Sequence, residues 1–403
     1  MHVLKGERMC IQNKLLVACA ALAAGEFAAS RVPMLSEAWP VVACGVLLAA
    51  VFGFALSVRG WPAVALALAG AALFFGASLA QARVCRGSPW LREARARPHA
   101  APTRPAWAAV RRDFARRAAL GIAHDPELVR LNRAILLGAR TSLSPRLRRT
   151  FVESGTIHVF AISGLHVMAV VRVLVFLLQA LFVPRRLVGV AAVPLLWGYV
   201  ALIGSPPSAV RAAAMASLGC LAPAFGRRPN GIVAWSLTFL GVYGSRPALI
   251  VDVGCGLSFA VMLAILVVCD RLRDRPEGWG KLLAVTAAAW AAGVPIAAHV
   301  FGRVTPGGLL ANLALIPAAG VTVYAGALGL LASFVSEPLA AHLNGLSALF
   351  TKAMVVLSEG VARLPGANVD VPNWSVLLCA EWYCALALVL ALGGLAKRRT
   401  AAF

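Results

Sequence analysis

Long apolar runs separated by short polar and basic loops recur along this chain of 403 residues. Several runs reach the roughly 20 residues that a helix needs to cross a bilayer. They predict helices over 13–30, 39–58, 61–82, 157–182, 187–203, 209–225, 231–244, 251–269, 282–301, 308–334, 338–361 and 375–396. The first run resembles a signal peptide, but the many later spans favour an uncleaved helix. Segment 308–334 contains Asn312, Pro317 and Gly320 and is long enough to bend or re-enter.

Composition supports a membrane protein. Hydrophobic residues make up 60% of the chain and charged residues 13%, against about 45–50% and about 25% in soluble domains. This excludes an ordinary soluble enzyme and a disordered chain. The predicted fold class is an all-α polytopic integral membrane protein with about ten to twelve transmembrane helices, broken or re-entrant segments and a small basic outer segment.

The basic residues predict an orientation. The net charge is +22, and Lys and Arg concentrate in alternate short loops, for example at 185–186, 227–228, 271–281 and 397–399. Since cytoplasmic loops carry this excess, both termini are expected to be cytoplasmic.

The connection 83–149 departs from this pattern, because it is rich in Arg although alternation places it outside. A long connection translocates largely regardless of charge, so the charge indicates a polyanionic partner. Arg111, Arg112, Arg116 and Arg117 are the candidate outer DNA-binding residues, since the Arg fork bonds phosphate in a bidentate manner. Alternatively, the stretch RRDFARRAALGI forms an amphipathic helix on anionic lipid.

Polar residues inside the apolar runs are site candidates, because an ionisable group at membrane depth costs at least a few kcal/mol. The densest group contains His158, Ser163, Gly164 and His166. On an ideal helix the two histidines differ by about 80°, so both could border one cavity. Alternatively, His158 pairs with Glu153 and His166 bonds to a neighbouring helix.

A second group combines a helix start with a cation. Ser208 follows two prolines as a helix cap and Arg211 lies one turn later, which together make an anion site. Alternatively, Arg211 extends to the lipid headgroups.

Further groups contain Asp252 with Ser258, and Asn312 with Pro317. Asp252 lies near a helix start, and it could equally pair with Arg211. Lys352 and Glu359 are two turns apart on one face, where their charges could compensate each other.

Four segments, taken in order, resemble the ComEC-type competence-domain family: SGTIHVFAISGLHV (154–167), SPPSAVRAAAM (205–215), PALIVDVGCGLSF (247–259) and GLLANLALIP (308–317). The resemblance covers roughly residues 130–390. It implies a multi-pass channel of the bacterial inner (plasma) membrane that passes single-stranded DNA into the cytoplasm during natural transformation. The implied translocation pathway consists of His158, Ser163, Gly164, His166, Ser208, Arg211, Asp252, Ser258, Asn312 and Pro317.

The resemblance also suggests a domain plan: N-terminal helices 1–82, an Arg-rich extracytoplasmic segment 83–130, a channel domain 131–396 and a basic tail 397–403. The outer segment is short for the family's oligonucleotide-binding-like domain, and Gly256 stands where the family typically has Gln. A short form without the family's C-terminal metallo-β-lactamase-like domain is expected, because no His-x-His-x-Asp-His cluster occurs. We therefore predict no catalytic residue, metal or cofactor.

The predicted partners are single-stranded DNA, membrane lipids, an outer DNA receptor and a separate cytosolic ATP-driven motor, since the chain contains no Walker A loop. Two rival functions stay open. A small-solute or lipid transporter could use the same scaffold. An intramembrane serine protease could use Ser163 with His299 or His342 as base, because a Ser–His pair makes a nucleophile.

Overall fold

The computed structural model of the protein describes residues 105–138, 144–160, 162–245, 249 and 252–400. The predicted helices 13–30, 39–58 and 61–82 lie outside these residues. We number the elements of the described part in chain order: α1 Pro105–Arg117, α2 Pro126–Leu137, α3 Pro145–Glu153, α4 Gly164–Ala180, α5 Arg185–Leu202, α6 Pro207–Leu221, α7 Gly231–Ser245, α8 Val253–Arg271, α9 Trp279–Phe301, β1 Arg303–Val304, α10 Gly307–Ala332, α11 Glu337–Ala362, β2 Val369–Asp370 and α12 Val376–Thr400. Short 3-10 turns cover Ile157–Phe160 and Ala222–Phe225.

The apolar helices confirm an all-α polytopic membrane protein. Six described helices are long and apolar enough to cross a bilayer, namely α5, α6 with its 3-10 extension, α8, α9, α10 and α11. Shorter apolar helices cover Gly164–Ala180, Gly231–Tyr243 and Val376–Leu390. Large apolar side chains such as Phe176 and Leu349 remain exposed on these helices, which is typical of a surface that faces lipid.

Two of the predicted spans need correction. Helix α4 begins at Gly164 and not at residue 157, because Gly155 and the 3-10 turn interrupt the chain before it. Helix α10 is continuous across Asn312, Pro317 and Gly320, so the expected re-entrant break is wrong, whereas the expected bend stays a prediction. Pro317 is exposed and has no backbone N–H to donate within the helix.

Helix starts follow the local sequence signals. Asp125 caps α2 by accepting hydrogen bonds from the N–H groups of Glu127 and Leu128 at 3.1 and 3.0 Å. Ser144 caps α3 in the same way. A proline then occupies the first turn of both helices, where the missing N–H costs nothing.

The described part of one compact unit comprises 105–234 and 305–369, apart from the gaps given above. Its largest core combines Leu131 and Ile135 of α2 and Phe151 of α3 with Leu315 of α10 and Met354 of α11. The short helices α2 and α3 are therefore part of the helical core. The predicted domain boundary between residues 130 and 131 lies within α2.

A second cluster in this unit packs α4, α5 and α6 against one another. Helices α5 and α6 approach closely at Gly189, where an added Cβ would clash with the carbonyl oxygen of Cys220. Small residues permit such backbone contact between membrane helices.

The other compact unit contains the described residues of 235–304 and 370–400. An aromatic cluster of Trp235, Phe239 and Phe259 holds α7 to α8, with ring centroids 5.1 to 5.7 Å apart. Tyr383 of α12 donates a hydrogen bond of 2.8 Å to the carbonyl of Ala292 in α9. Buried tyrosine hydroxyls need such partners.

Candidate functional site at the starts of two membrane helices

The start of α4 is organised by Ser163 and His166. The backbone N–H of Ser163 donates to Nδ1 of His166 at 3.2 Å, and the Ser163 hydroxyl lies 3.1 Å from the same nitrogen. Because Nδ1 accepts this hydrogen bond, it carries no proton. The proton of the neutral imidazole is therefore on Nε2.

That Nε2 group is the notable feature of the site. His166 is 1% exposed, and its Nε2 atom has no hydrogen-bond partner within the described part of the chain. A buried donor without an acceptor costs about 1–3 kcal/mol. A ligand or water that offers an acceptor would remove this cost if it reached the buried atom.

The start of α6 meets the start of α4. The hydroxyl of Ser208 donates a hydrogen bond of 2.7 Å to the carbonyl of Ile162, which directly precedes Ser163. Ala209 and Ala213 of α6 are fully buried against Ile162 and Val167. The first N–H groups of a helix have no intrahelical partner, so two positive helix ends are present at one place.

Arg211 lies one turn into α6 and is 7% exposed. Its side chain is therefore buried close to the helix start, where it interacts with other groups of the protein. Helix N-termini are places where anions bind well. These contacts place Ser208 next to the segment of Ser163 and His166, and the translocation pathway stays a prediction.

Asn312 belongs to a helix that packs on α4. Ala311 and Leu315 of α10 share a buried cluster with Ala169 of α4, and Asn312 follows Ala311. Its side-chain Oδ1 is buried and has no hydrogen-bond partner among the described residues. This unit therefore contains a second polar atom that a ligand or water could satisfy.

His158 and His166 do not lie on one helix, so the expected separation of about 80° on a shared helix is wrong; that both border one cavity stays a prediction. His158 lies in the 3-10 turn Ile157–Phe160, is exposed, and its Nδ1 is 3.2 Å from the carbonyl of Gly155. The reason is the turn at Gly155, where φ is +72°. An added Cβ there would lie 2.7 Å from Oγ1 of Thr305 and 3.3 Å from Cα of Gly308.

In the other unit, Asp252 has a local role. Its carboxylate caps α8 by accepting a hydrogen bond of 2.5 Å from the N–H of Cys255. Ser258 lies in the second turn of this helix and is partly exposed.

The four arginines predicted to bind DNA divide into two kinds. Arg112 and Arg116 are exposed. Arg111 donates to the carbonyl of Leu137 at 3.2 Å. Arg117 donates to the carbonyl of Ser333 at 3.0 Å and lies 4.2 Å from the ring centroid of Phe334. Arg111 and Arg117 therefore hold α1 to the helical core.

Asp113 links two of these arginines at distances of 2.7 Å to Arg116 and 2.6 Å to Arg117. The hydrogen bonds from Arg117 and then Arg116 hold the pKa of Asp113 below its usual value of 3.8. The alternative of one amphipathic helix over RRDFARRAALGI is wrong, because α1 ends at Arg117. The following residues Ala119 and Ile122 are buried against α11.

Glu359 pairs with a different partner from the one expected. Its carboxylate lies 3.6 Å from Arg146 of α3. Lys352 and Glu359 nevertheless line the same cleft of about 230 Å³ between α2, α3 and α11, together with Asp125, Glu127 and Arg146.

Sequence reasoning missed a buried polar stripe on α11. Asn344, Ser347, Thr351 and Ser358 are each at most 1% exposed, and their spacing of three, four and seven residues places them on one helix face. Ser347 donates to Oδ1 of Asn132 at 2.8 Å. The helical period of these polar residues, within an otherwise apolar run, was the signal that could have found them.

These features define the class: a multi-pass α-helical membrane protein with polar groups buried between its helices. Comparison then gives the family. A match to the competence protein family covers residues 135–395, so the chain belongs to the competence protein family.

One curated relative is "ComE operon protein 3" of Bacillus subtilis (strain 168), which is 25% identical over 192 residues. The aligned region covers 48% of this chain and 25% of the relative, so the chain matches only a quarter of that protein's length. No solved structure matches the chain.

Proposed function

We propose that this protein passes single-stranded DNA through the membrane into the cytoplasm during natural transformation. Membership of the competence protein family supports a role in DNA uptake. The observation that carries the channel role is the meeting of two helix starts at Ser163 and Ser208, with the Nε2–H of His166 left for an acceptor. Phosphate oxygens are acceptors that bind well at helix N-termini.

The proposed pathway binds the strand weakly and repeatedly. Arg211, the helix ends and His166 would replace water around each phosphate as it passes. A conducting site must bind well enough to admit its substrate but weakly enough to release it. A site in which Arg211 is accompanied by neutral hydrogen-bond donors meets this requirement better than a cluster of cations would.

Energy and delivery come from other proteins in this proposal. A cytosolic ATP-driven motor pulls the strand, and an outer receptor delivers it. Both termini are cytoplasmic, as the distribution of Lys and Arg in the short loops suggests. The connection that contains α1 then faces the outside, where the exposed Arg112 and Arg116 attract DNA.

Catalysis is not part of the proposal. Ser163 and His166 are in hydrogen-bonding distance, as a nucleophile and base would be. However, Nδ1 of His166 also accepts the N–H of Ser163, which is the arrangement of a helix cap. We assign both residues to DNA binding.

The test follows labelled DNA into the cytoplasm of a transformable host whose own gene is replaced by variants. His166→Leu removes the free donor and should reduce uptake about tenfold or more, because hydrogen bonds to charged groups contribute about 1.5–3 kcal/mol. His166→Gln keeps a donor and should retain most of the uptake. His342→Leu is the matched control, since this exposed histidine lies on α11 and bonds only locally to Pro338.

Protein in the membrane is quantified for each variant, so that loss of folding is recognised. Normal uptake with His166→Leu would remove the site from the pathway. Normal uptake after deletion of the gene, in a host without a second copy, would remove the transport function. Vesicles that pass a small solute but exclude oligonucleotides when a motor is supplied would favour the transporter alternative.

A further inference from the structure

Helix α3 presents an exposed face of arginines. Arg146, Arg148 and Arg149 are exposed, and the side chain of Arg146 is 83% exposed. At about 100° per residue these three positions cover the side of the helix opposite Leu147 and Phe151. Glu153 is the acidic residue of this helix, so the face is strongly positive.

The apolar face of α3 is already occupied by protein. Leu147 and Phe151 are 6% and 0% exposed and belong to the main core. The ring of Phe151 packs edge-on against Phe160, with centroids 4.5 Å apart. A helix that lies on a membrane buries its apolar face in lipid. Helix α3 has no such face available, so its arginines are not explained by attachment to lipid.

Neighbouring acids leave most of this charge unneutralised. Glu359 lies 3.6 Å from Arg146, which is a long contact for an exposed ion pair and contributes little. The other acids of the adjoining cleft, Asp125 and Glu127, lie on α2 beside Lys352. Arg148 and Arg149 do not line that cleft.

The position of α3 relates it to the pathway. It ends at Glu153, and the next residues Ser154 and Gly155 contact the beginning of α10 at Thr305 and Gly308. Hydrogen bonds from Ser154 through Thr156 to Ser358, of 2.6 and 3.1 Å, fix this turn against α11. Ser163 follows within ten residues of α3. The C-terminal end of α3 is therefore anchored to α10 and α11, and the chain reaches Ser163 ten residues later.

We infer that the exposed face formed by Arg146, Arg148 and Arg149 binds the phosphates of single-stranded nucleic acid before the strand reaches the helix starts at Ser163 and Ser208. This inference rests on the proposed function. It differs from the sequence-based choice of α1, where Arg111 and Arg117 are held by contacts with the core. The partner is recognised by its repeated phosphates, because the exposed side chains of this face are guanidinium groups, which bind phosphate.

The experiment uses the full chain in nanodiscs of zwitterionic lipid and measures binding of a fluorescein-labelled oligothymidylate by anisotropy at several salt concentrations. Each phosphate contact contributes about 0.7 to the slope of log affinity against log salt for single strands. The variant Arg148→Gln/Arg149→Gln should therefore lower the slope by about 1.4. If the wild type and the variant bind equally at 1 M salt, the variant should bind about 25-fold more weakly than the wild type at 0.1 M salt.

Two matched variants accompany it. Arg185→Gln/Arg186→Gln removes another adjacent exposed pair, at the start of α5, and should leave affinity unchanged. Arg148→Lys/Arg149→Lys keeps the charge and should keep the slope. Melting temperatures identify any variant that fails to fold.

The outcomes separate this inference from the proposed function. If the α3 variant binds with unchanged slope while the wild type binds DNA, the inference is overturned and the proposed function stands. Equal losses of affinity in the α3 and α5 variants would also overturn it, since the effect would then come from the net charge of the protein and not from one face. A wild type that does not bind DNA at all counts against the proposed function itself. If only anionic vesicles bind to α3, lipid headgroups are its partner and the inference is again overturned.

Discussion

The hydroxyl of Ser208 donates a hydrogen bond of 2.7 Å to the carbonyl of Ile162, across the start of α6 and the break before α4. This bond joins two chain segments that are 46 residues apart. It satisfies a carbonyl of non-helical backbone at a helix junction, where an unpaired group would be costly inside a membrane.

Ser208→Ala removes this bond, and we expect it to lower the free energy of unfolding by about 1 kcal/mol. It should also reduce DNA uptake, because the two helix starts lose their fixed spacing. Unfolding in mixed micelles and uptake of labelled DNA measure the two effects. Ser208→Thr retains the hydroxyl and should retain both properties; if Ser208→Thr and Ser208→Ala behave alike, the hydrogen bond is not the cause.

Gly155→Ala should destabilise the protein strongly. The added Cβ would lie 2.7 Å from Oγ1 of Thr305, and φ of +72° is unfavourable for a residue with a Cβ. Strain of this kind costs about 1–3 kcal/mol. We expect a lower melting temperature and less protein in the membrane.

Gly198→Ala is the control for this change. An added Cβ at Gly198 meets nothing within 4 Å, and the residue lies inside α5. Since Ala favours a helix interior by about 0.5–1 kcal/mol over Gly, this variant should be as stable as the wild type or slightly more stable. A Gly155→Ala protein with the same melting temperature as Gly198→Ala would contradict the contact with Thr305.

The positions of the membrane helices could be predicted because a span requires a long apolar run and little else. Helix α5, predicted over 187–203, covers Arg185–Leu202. The start of α4 could not be predicted so well. Residues 157–163 are apolar enough for a helix, but Ser163 is extended and forms a capping box with His166, so the helix begins at Gly164. The hydrogen bond from Ser208 to Ile162 joins this break to a distant part of the chain.

The start of α6 could be predicted from local chemistry, although Pro206 and not Ser208 is the N-cap; the pathway residues stay a prediction. Ser208 after two prolines and Arg211 one turn later indicate a positive helix start by themselves. The roles of the arginines on α1 depend on distant partners. Arg117 contacts Ser333, which is 216 residues away, and nothing in the local pattern distinguishes it from the exposed Arg116. The arginine face of α3 was overlooked for the same reason, since only the core position of Phe151 shows which side is free.

The polar pair Asn132 and Ser347 should stabilise the contact of α2 with α11. Ser347 donates to Oδ1 of Asn132 at 2.8 Å, and both residues are fully buried. Ser347→Ala leaves an unpaired acceptor, which costs about 1–3 kcal/mol. We expect Asn132→Leu/Ser347→Ala to be less destabilised than the sum of the single variants, because the apolar pair leaves fewer buried polar atoms without partners.

Unfolding free energies of the two single variants and the double variant complete this cycle. A coupling close to zero would mean that the two side chains do not interact in the membrane. Ser347→Thr keeps the hydroxyl and serves to show whether added volume alone disturbs the packing.

Arg117 and Arg116 provide a last matched pair, since both contact Asp113 but only Arg117 reaches the core. Arg117→Lys should lower stability by about 1 kcal/mol, because a lysine cannot stack on Phe334 and donate to Ser333 with the same planar group. Arg116→Lys should change the stability little, since the side chain of Arg116 is 78% exposed.

Acid should reduce the contribution of Asp113 to the stability. A carboxyl whose pKa is lowered in the folded state stabilises the protein above its unfolded pKa and loses this effect as the pH falls through the folded pKa. The difference in melting temperature between the wild type and Arg117→Gln should therefore narrow below about pH 4. A difference that stays constant through this range would mean that Arg117 acts through Ser333 and Phe334 alone.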